Sequence, residues 1–390
     1  MINNLINSIT PVRILEQAQV LKHQNKIIEA IALLEDANKK KKDCRIIHLL
    51  ANLLLETANY QRINALTEIR ECDPRSYAIA NRLVNTNLSS IEPLCLEGHK
   101  PLENAAYITM VKDEEDIILY NLIWHYELGF RKFFLIDNLS KDRTAQQIKL
   151  FEQCFNDTQV FLLHDPVVGY YQGQKMTGAC RFVMSLWTEI EWLVLIDADE
   201  FLCPNQPLHQ ILSRIPSKIE AIIVPKSVYC LMEGDSTEDT DTFFRRIKYR
   251  KPLSHISNKV IMRANLQFDI SQGNHRIFSG EGQEIKNYWC DEYLAYREFP
   301  VRSHTQYLRK MVNGGQAIMA AKQQGFNRVG GVHWEAIYNL YLKQGEVGVR
   351  QKLQAIIAKN SQGDRLLDPF PLDSIIDGLD DQKKAVLASL

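Results

Sequence analysis

The sequence predicts an α/β fold with a mostly parallel sheet flanked by helices, preceded by an all-helical repeat region. Three observations point there. Residues from about 10 to 90 place apolar side chains at helical spacing and carry almost no strand signal. From Ala105 onward, short apolar runs alternate with helical segments, the pattern of βαβ units. The stretch 192–202 begins as a near-continuous apolar run, Trp192 to Ile196, then stops at three carboxylates, Asp197, Asp199 and Glu200. A run of that kind reads as a strand covered by helices on both faces.

A chain of 390 residues has room for one large domain and a smaller one, or for two to three domains. With 45% hydrophobic and 24% charged residues it has the composition of a globular protein. A net charge of −1 gives no global attraction to nucleic acid or to an anionic membrane. The eight cysteines include no Cys-x-x-Cys pair, which speaks against a zinc site and against a disulfide framework. The first ten residues lack a basic region followed by an apolar core, and no apolar stretch approaches the length of a membrane span. The chain therefore reads as reduced and cytoplasmic.

In the N-terminal region, assigned to residues 1–90, Val12, Leu15, Ala18 and Leu21 recur at helical spacing, followed by Ile27, Ile31, Leu34 and Ala37. A second pair of segments carries Ile46, Leu50, Leu53 and then Ile63, Leu66 and Ile69, ending at Pro74. This looks like two degenerate tetratricopeptide-type hairpins. Two repeats are marginal alone, so a capping helix over 76–87 and docking on the main domain are expected. The region is either a partner-binding or self-association module, or a helical cap that only packs. The run Lys39 to Lys42 is either a solvated turn or a contact with the inner membrane surface, as for a peripheral protein. A linker at 91–104, rich in turn residues, separates this region from the main domain at 105–325, and residues 326–390 return to helix and tail.

The main domain begins with a strand over 105–111 and a helix from Asp116 to Leu128. A strand over 132–137 leads into the turn after Asp137, and Thr144 is placed as the N-cap of the next helix. A third strand at 160–165, a helix over 172–187, the 192–196 strand, a helix at 207–215 and a strand at 221–229 continue the alternation. Right-handed crossovers would then put the strand ends, with Asp113, Asp137, Asp142, Asp197 and Asp199, on one rim. Strand alternation would set Asp197 and Asp199 on one side, about 6–7 Å apart. Two carboxylates so placed repel unless a cation lies between them, and oxygen ligands suit Mg²⁺ or Mn²⁺. The plain alternative is a strand end with solvated acids.

The segment from Met110 to Ile148 resembles the opening of family-2-like glycosyltransferases of the GT-A fold, a Rossmann-like α/β architecture. Asp137, Asn138, Ser140, Asp142 and Thr144 match that family's Asp-Asn-x-Ser-x-Asp-x-Thr, while Asp113 stands where Asn is usual. Asp197-Ala198-Asp199 looks like its metal-binding Asp-x-Asp, and Gly273-Asn274-His275 resembles its Gly-x-His element. Arg302 and Ser303 match a late Tyr-x-x-(Lys/Arg)-Ser segment whose Tyr is missing here. The resemblance covers about 105–325.

The resemblance implies a sugar moved, with inversion, from a nucleotide-sugar, UDP-linked by expectation, to a glycan or lipid-linked acceptor, as in polysaccharide biosynthesis. It implies Mn²⁺ or Mg²⁺ on Asp197, Asp199 and His275, with Asp113, Asp137, Asp142 and Asp197 toward the donor. Lys175, at the start of the third helix, and Arg245 or Arg246 are candidates for the phosphates. An inverting transfer needs a base for the acceptor hydroxyl. Asp235, in the Gly-containing acidic loop 232–241, is the candidate, with Asp291 and Glu292 as competitors. His125, within an apolar helix, reads as packing, and Trp334, Ile337, Tyr338 and Tyr341 read as a core stripe. Two rivals stand: a nucleotidyltransferase acting on sugar phosphates, which would carry a basic glycine-rich loop where this chain has Lys112 to Glu115, and a non-catalytic scaffold.

Overall fold

Neighbouring residues of the central strands feed two different cores. Trp192 and Val194 join one apolar cluster, while Leu193 and Leu195 join another on the opposite face of the sheet. The computed structural model describes residues 10–66, 68–85, 94–238, 241–291, 293–326, 331–381 and 383–384. Its N-terminal helices are α1 (Pro11–His23), α2 (Ile27–Lys40), α3 (Cys44–Glu56), α4 (Tyr60–Ala65), α5 (Ile69–Cys72) and α6 (Pro74–Asn85). The second helix of the expected second hairpin is thus split into two short pieces. Asp73 caps α6, accepting from the Ser76 N–H at 3.1 Å and its hydroxyl at 2.9 Å. Cys44 and Cys72 form a disulfide, against the expectation of a fully reduced chain. The side chains of Lys39 to Lys42 are exposed.

The sheet follows as β1 (Leu102–Val111), α7 (Ile118–Glu127), β2 (Phe130–Asp137), α8 (Thr144–Cys154), β3 (Gln159–His164), α9 (Gln172–Leu186) and β4 (Trp192–Leu195). Strands β3, β2, β1 and β4 lie side by side and parallel, with Val111 opposite Asp137 and Ile108 opposite Leu195. Thr144 is the first residue of α8 rather than its cap. Arg143 holds the cap position, and the Asp142 carboxylate before it accepts from the Thr144 N–H at 2.9 Å.

After β5 (Glu200–Pro204) and α10 (Leu208–Ser213) come β6 (Ala221–Cys230), α11 (Phe243–Arg246), β7 (Tyr249–Arg250) and β8 (Ser254–Arg263). Strands β4 and β6 are not neighbours in the sheet. Strand β8 lies between them, antiparallel to both, with Trp192 opposite Arg263 and Ile223 opposite Val260. Then come β9 (Phe268–Ile270), a single 3-10 turn, β10 (Ile277–Ser279), β11 (Tyr288–Cys290) and β12 (Leu294–Glu298). The C-terminal part holds α12 (His304–Gln323), α13 (Val332–Ser361), β13 (Leu366–Leu367) and α14 (Leu372–Gly378).

Helix α7 and the C-terminal helices cover one face of the sheet, burying Leu122, Trp124, Ile337 and Leu353. Helix α9 and the N-terminal helices cover the other, so Leu50, Leu54 and Ile79 share a core with Ile108 and Phe134. Gly314 and Gly315 lie inside α12, where added Cβ atoms would come within 2.6 Å of the Trp334 ring and 2.2 Å of Tyr338 Cβ, respectively. Gly345, at φ 62°, breaks the helical geometry within α13. No helix among the described residues is long and apolar enough to cross a membrane.

Candidate functional site

At the carboxyl ends of β1 and β4 lies a cavity of about 530 Å³. Asp113, Asp197, Asp199 and His275 all line it. Asp197 and Asp199 do not sit on a continuing strand. The chain turns there, with the Glu200 N–H donating to the Asp197 carbonyl at 2.9 Å, so strand alternation does not govern their directions. The turn is held from below. The Asn121 amide donates to the carbonyls of Ala198 (2.9 Å) and Glu200 (2.7 Å), and itself accepts from the Tyr107 hydroxyl at 2.8 Å.

Each carboxylate of the pair meets an ammonium group. Lys259 of β8 pairs with Asp197 and reaches Glu200 at 3.3 Å, although Lys259 is only 1% exposed. Lys310 of α12 pairs with Asp199. Lys226 of β6 bridges Glu200 (3.3 Å) and Glu298 (2.9 Å). Burial opposes ionisation of Asp199, but Lys310 and Arg302 outweigh it and hold its pKa at about 2. Glu200 goes the other way, raised by its complete burial and by the Asp197 charge against the pull of Lys259. Gln172, the first residue of α9, also donates to Asp197 at 3.0 Å and accepts from the Gly273 N–H at 3.2 Å.

His275 faces the same cavity from the loop after β9. Its Nδ1 lies 2.6 Å from the Asn258 carbonyl, so Nδ1 carries the proton and Nε2 keeps its lone pair. Burial, then the neighbouring Lys259 charge, push its pKa down to about 4. The N-terminal helices buttress this loop. Arg75 donates to the Asn258 side chain at 3.2 Å, and Arg276 donates to His48, whose other ring nitrogen meets Asp73 at 2.6 Å.

Asp113 adopts φ 54°, a left-handed conformation that short polar side chains tolerate best. Its carboxylate accepts from the Lys141 N–H at 2.6 Å and from Asn313 of α12 at 2.7 Å. Asp137 and Asp142 are near this rim but do not line the cavity. Asp137 accepts from the Ser140 N–H at 3.1 Å, and Asp142 ties Glu115 and Thr144 together. Lys175 pairs with Asp165, Arg245 with Asp373, and Arg246 donates to the carbonyls of Asp241, Ser236 and Arg302; none of the three lines the cavity. Asp235 accepts from the Met232 N–H at 2.8 Å within its own turn, away from the cavity wall. Asp291 is held by Arg214, Trp289 and Tyr293. Glu292 and Asp239 lie outside the described residues. His125 is a packing residue, bonded to the Asn121 carbonyl at 2.8 Å and the Leu202 N–H at 3.2 Å.

One helix closes the cavity. Ser303 caps α12 by accepting from the Gln306 N–H at 3.1 Å, while Gln306 accepts from the Arg302 N–H at 3.0 Å. Arg302, fully buried, pairs with Glu114 and Asp116, and so locks the start of α12 to the loop after β1. Trp334 of α13 lines the cavity and packs edge-on to Tyr170, their rings 5.1 Å apart.

Sequence reasoning overlooked Lys226, Lys259 and Lys310. A signal existed for the first two: each interrupts an apolar strand, and a lysine taken out of water must find a carboxylate. The expected metal ligands do not make a metal centre as they stand. Among the described residues no group of three His, Cys, Asp or Glu is gathered to hold an ion, and ammonium groups already meet both carboxylates of the pair.

Comparison with protein-family models finds no match, and comparison with curated proteins finds none either. Among solved structures, the chain is similar to the mannosyltransferase PcManGT from Pyrobaculum calidifontis, solved in complex with GDP-Man and Mn²⁺. The identity is 15%, with 85% of this chain and 92% of that one covered, at a TM-score of 0.33. It is also similar to HddC from Yersinia pseudotuberculosis, at 10% identity, 53% and 97% coverage and a TM-score of 0.30. At scores this low neither likeness carries chemistry over to this chain.

Proposed function

We propose that this protein is a glycosyltransferase that moves a sugar from a nucleotide-sugar, UDP- or GDP-linked, to a hydroxyl of a glycan or lipid-linked acceptor, with inversion. The observation that carries the reading is the cavity at the carboxyl ends of β1 and β4, walled by Asp113, Asp197, Asp199 and His275 together with lysines. Ligands of open α/β sheets bind at such strand ends. Of the residues in the motifs that resemble this enzyme class, Asn138, Asp197, Asp199 and His275 lie on that wall.

In the reaction, the acceptor oxygen bonds to the sugar's anomeric carbon. The bond from that carbon to the phosphate oxygen breaks, and its electron pair leaves with the nucleotide diphosphate. The hydroxyl proton passes to a base. Glu298 takes that role in our reading, because it stands on the cavity wall, held by Lys226, whereas Asp235 caps a turn elsewhere. Trp334 and Tyr170 offer aromatic surface to a sugar ring.

The test is release of UDP or GDP from a panel of nucleotide-sugars, read alongside thermal shift with the free nucleotides. Selective binding raises the midpoint by mass action. Release that disappears in Glu298→Gln while the thermal shift persists supports the assignment. A shift with nucleoside triphosphates alone points to nucleotidyl transfer, and no shift with any nucleotide overturns the reading.

A further inference from the structure

We propose that Lys259 and Lys310 are themselves the cations that receive the donor's diphosphate, in the place where Asp-x-Asp leads one to expect a divalent ion. Asp197 and Asp199 then serve to aim the two ammonium groups. The inference rests on the transferase reading and adds the means by which the leaving group is neutralised.

Two features of the wall carry it. First, the two lysines come from separate elements, β8 and α12, and each meets a different member of the carboxylate pair. An ion bound by both carboxylates would sit against both ammonium groups and be repelled by them. Lys259 has nowhere to go: its side chain is 2% exposed, and Glu200, its second partner, is fully buried. Moving it would strand a charge out of water.

Second, the wall is already balanced in charge. It holds five carboxylates against six lysine and arginine side chains. Mg²⁺ and Mn²⁺ favour oxygen donors, usually carboxylates, and gain from an excess of negative charge. A dianionic diphosphate gains from cations already on the wall, aimed by ion pairs and needing no further ordering.

In the transfer, the electron pair of the broken carbon–oxygen bond resides on the diphosphate oxygen. Donors fixed at that oxygen lower the barrier in the way an ion would.

The experiment measures UDP and GDP affinity by calorimetry on the full chain, in EDTA and again with Mn²⁺, for wild type, Lys310→Met, Lys310→Arg and Lys259→Met. The expected result is binding in EDTA that Mn²⁺ changes by less than about threefold, and a loss of about tenfold or more in Lys310→Met that Lys310→Arg partly restores. Lys310 is the primary site because its side chain is 22% exposed, against 2% for Lys259. Circular dichroism checks that Lys259→Met still folds, and the Lys310 pair decides if it does not. Binding that requires Mn²⁺, and that survives or tightens in Lys310→Met, overturns the inference and leaves the transferase reading intact. No nucleotide binding under either condition overturns both.

Discussion

Replacing Arg302 with Met removes the guanidinium that joins α12 to the loop after β1. Arg302 is fully buried, with Nε 2.6 Å from one Asp116 oxygen, Nη2 3.0 Å from the other, a further pair to Glu114, and a bond from Nη1 to the Phe299 carbonyl at 3.0 Å. Removing one partner of a buried ion pair costs about 3–5 kcal/mol, because the other charge is left uncompensated. Here the carboxylates keep some water, with side chains 14% and 24% exposed, and Arg309 remains 3.5 Å from Asp116. The lower end, about 3 kcal/mol, is therefore expected. The sign with pH follows from the carboxyl groups. Burial raises the Asp116 pKa, but Arg302 outweighs it and the net shift is downward. In wild type that contribution is fully present above the unfolded pKa of about 4 and fades as pH falls through the lower folded value. Glu114 is raised by burial even with Arg302 beside it, so in the variant it gains further from protonation. The deficit should be largest near pH 7 and shrink toward pH 4. Equilibrium urea unfolding of both proteins across that range measures it. A deficit under about 1 kcal/mol at pH 7, or one that grows on acidification, refutes the reasoning.

Three further outcomes follow from the same geometry. Gly315→Ala should lower stability by about 1–3 kcal/mol, because overpacking against Tyr338, 2.2 Å from the new Cβ, outweighs the helix-propensity gain of about 1 kcal/mol; a raised melting temperature would count against the close α12–α13 packing. Ser303→Ala should cost about 1 kcal/mol by removing the α12 cap, and Ser303→Asp should recover most of it, as thermal unfolding can measure. His275 should stay neutral with its proton on Nδ1 from pH 8 down to about 5, since its pKa is pushed down to about 4; ¹⁵N chemical shifts that titrate near the ordinary histidine value would contradict that environment.

Local pattern is a sufficient guide where structure is made by neighbours in the chain. The apolar runs of β1, β2 and β4 read correctly because both faces of these strands are covered, which demands nearly continuous hydrophobicity. Helix α9 was legible to within a residue from its period alone. The glycines at 314 and 315 run against local pattern, because Gly ordinarily weakens helices, and only the closeness of α13 gives them a reason to stay inside one.

By itself, then, the sequence determined the alternation of strands and helices from β1 to β4, the burial of those strands, and the place of Asp197 and Asp199 at a strand end. What surrounds those carboxylates was decided by tertiary structure. Strand β8 enters the sheet beside β4 from more than sixty residues away and sets Lys259 on Asp197. Helix α12 crosses back over 111 residues of chain to set Lys310 on Asp199. An isolated lysine in a strand or helix announces only that it needs a partner, because charge pairing acts through space and leaves no period in the sequence. Which carboxylate answers depends on which strand slides between two others, and that is settled by the packing of the whole sheet.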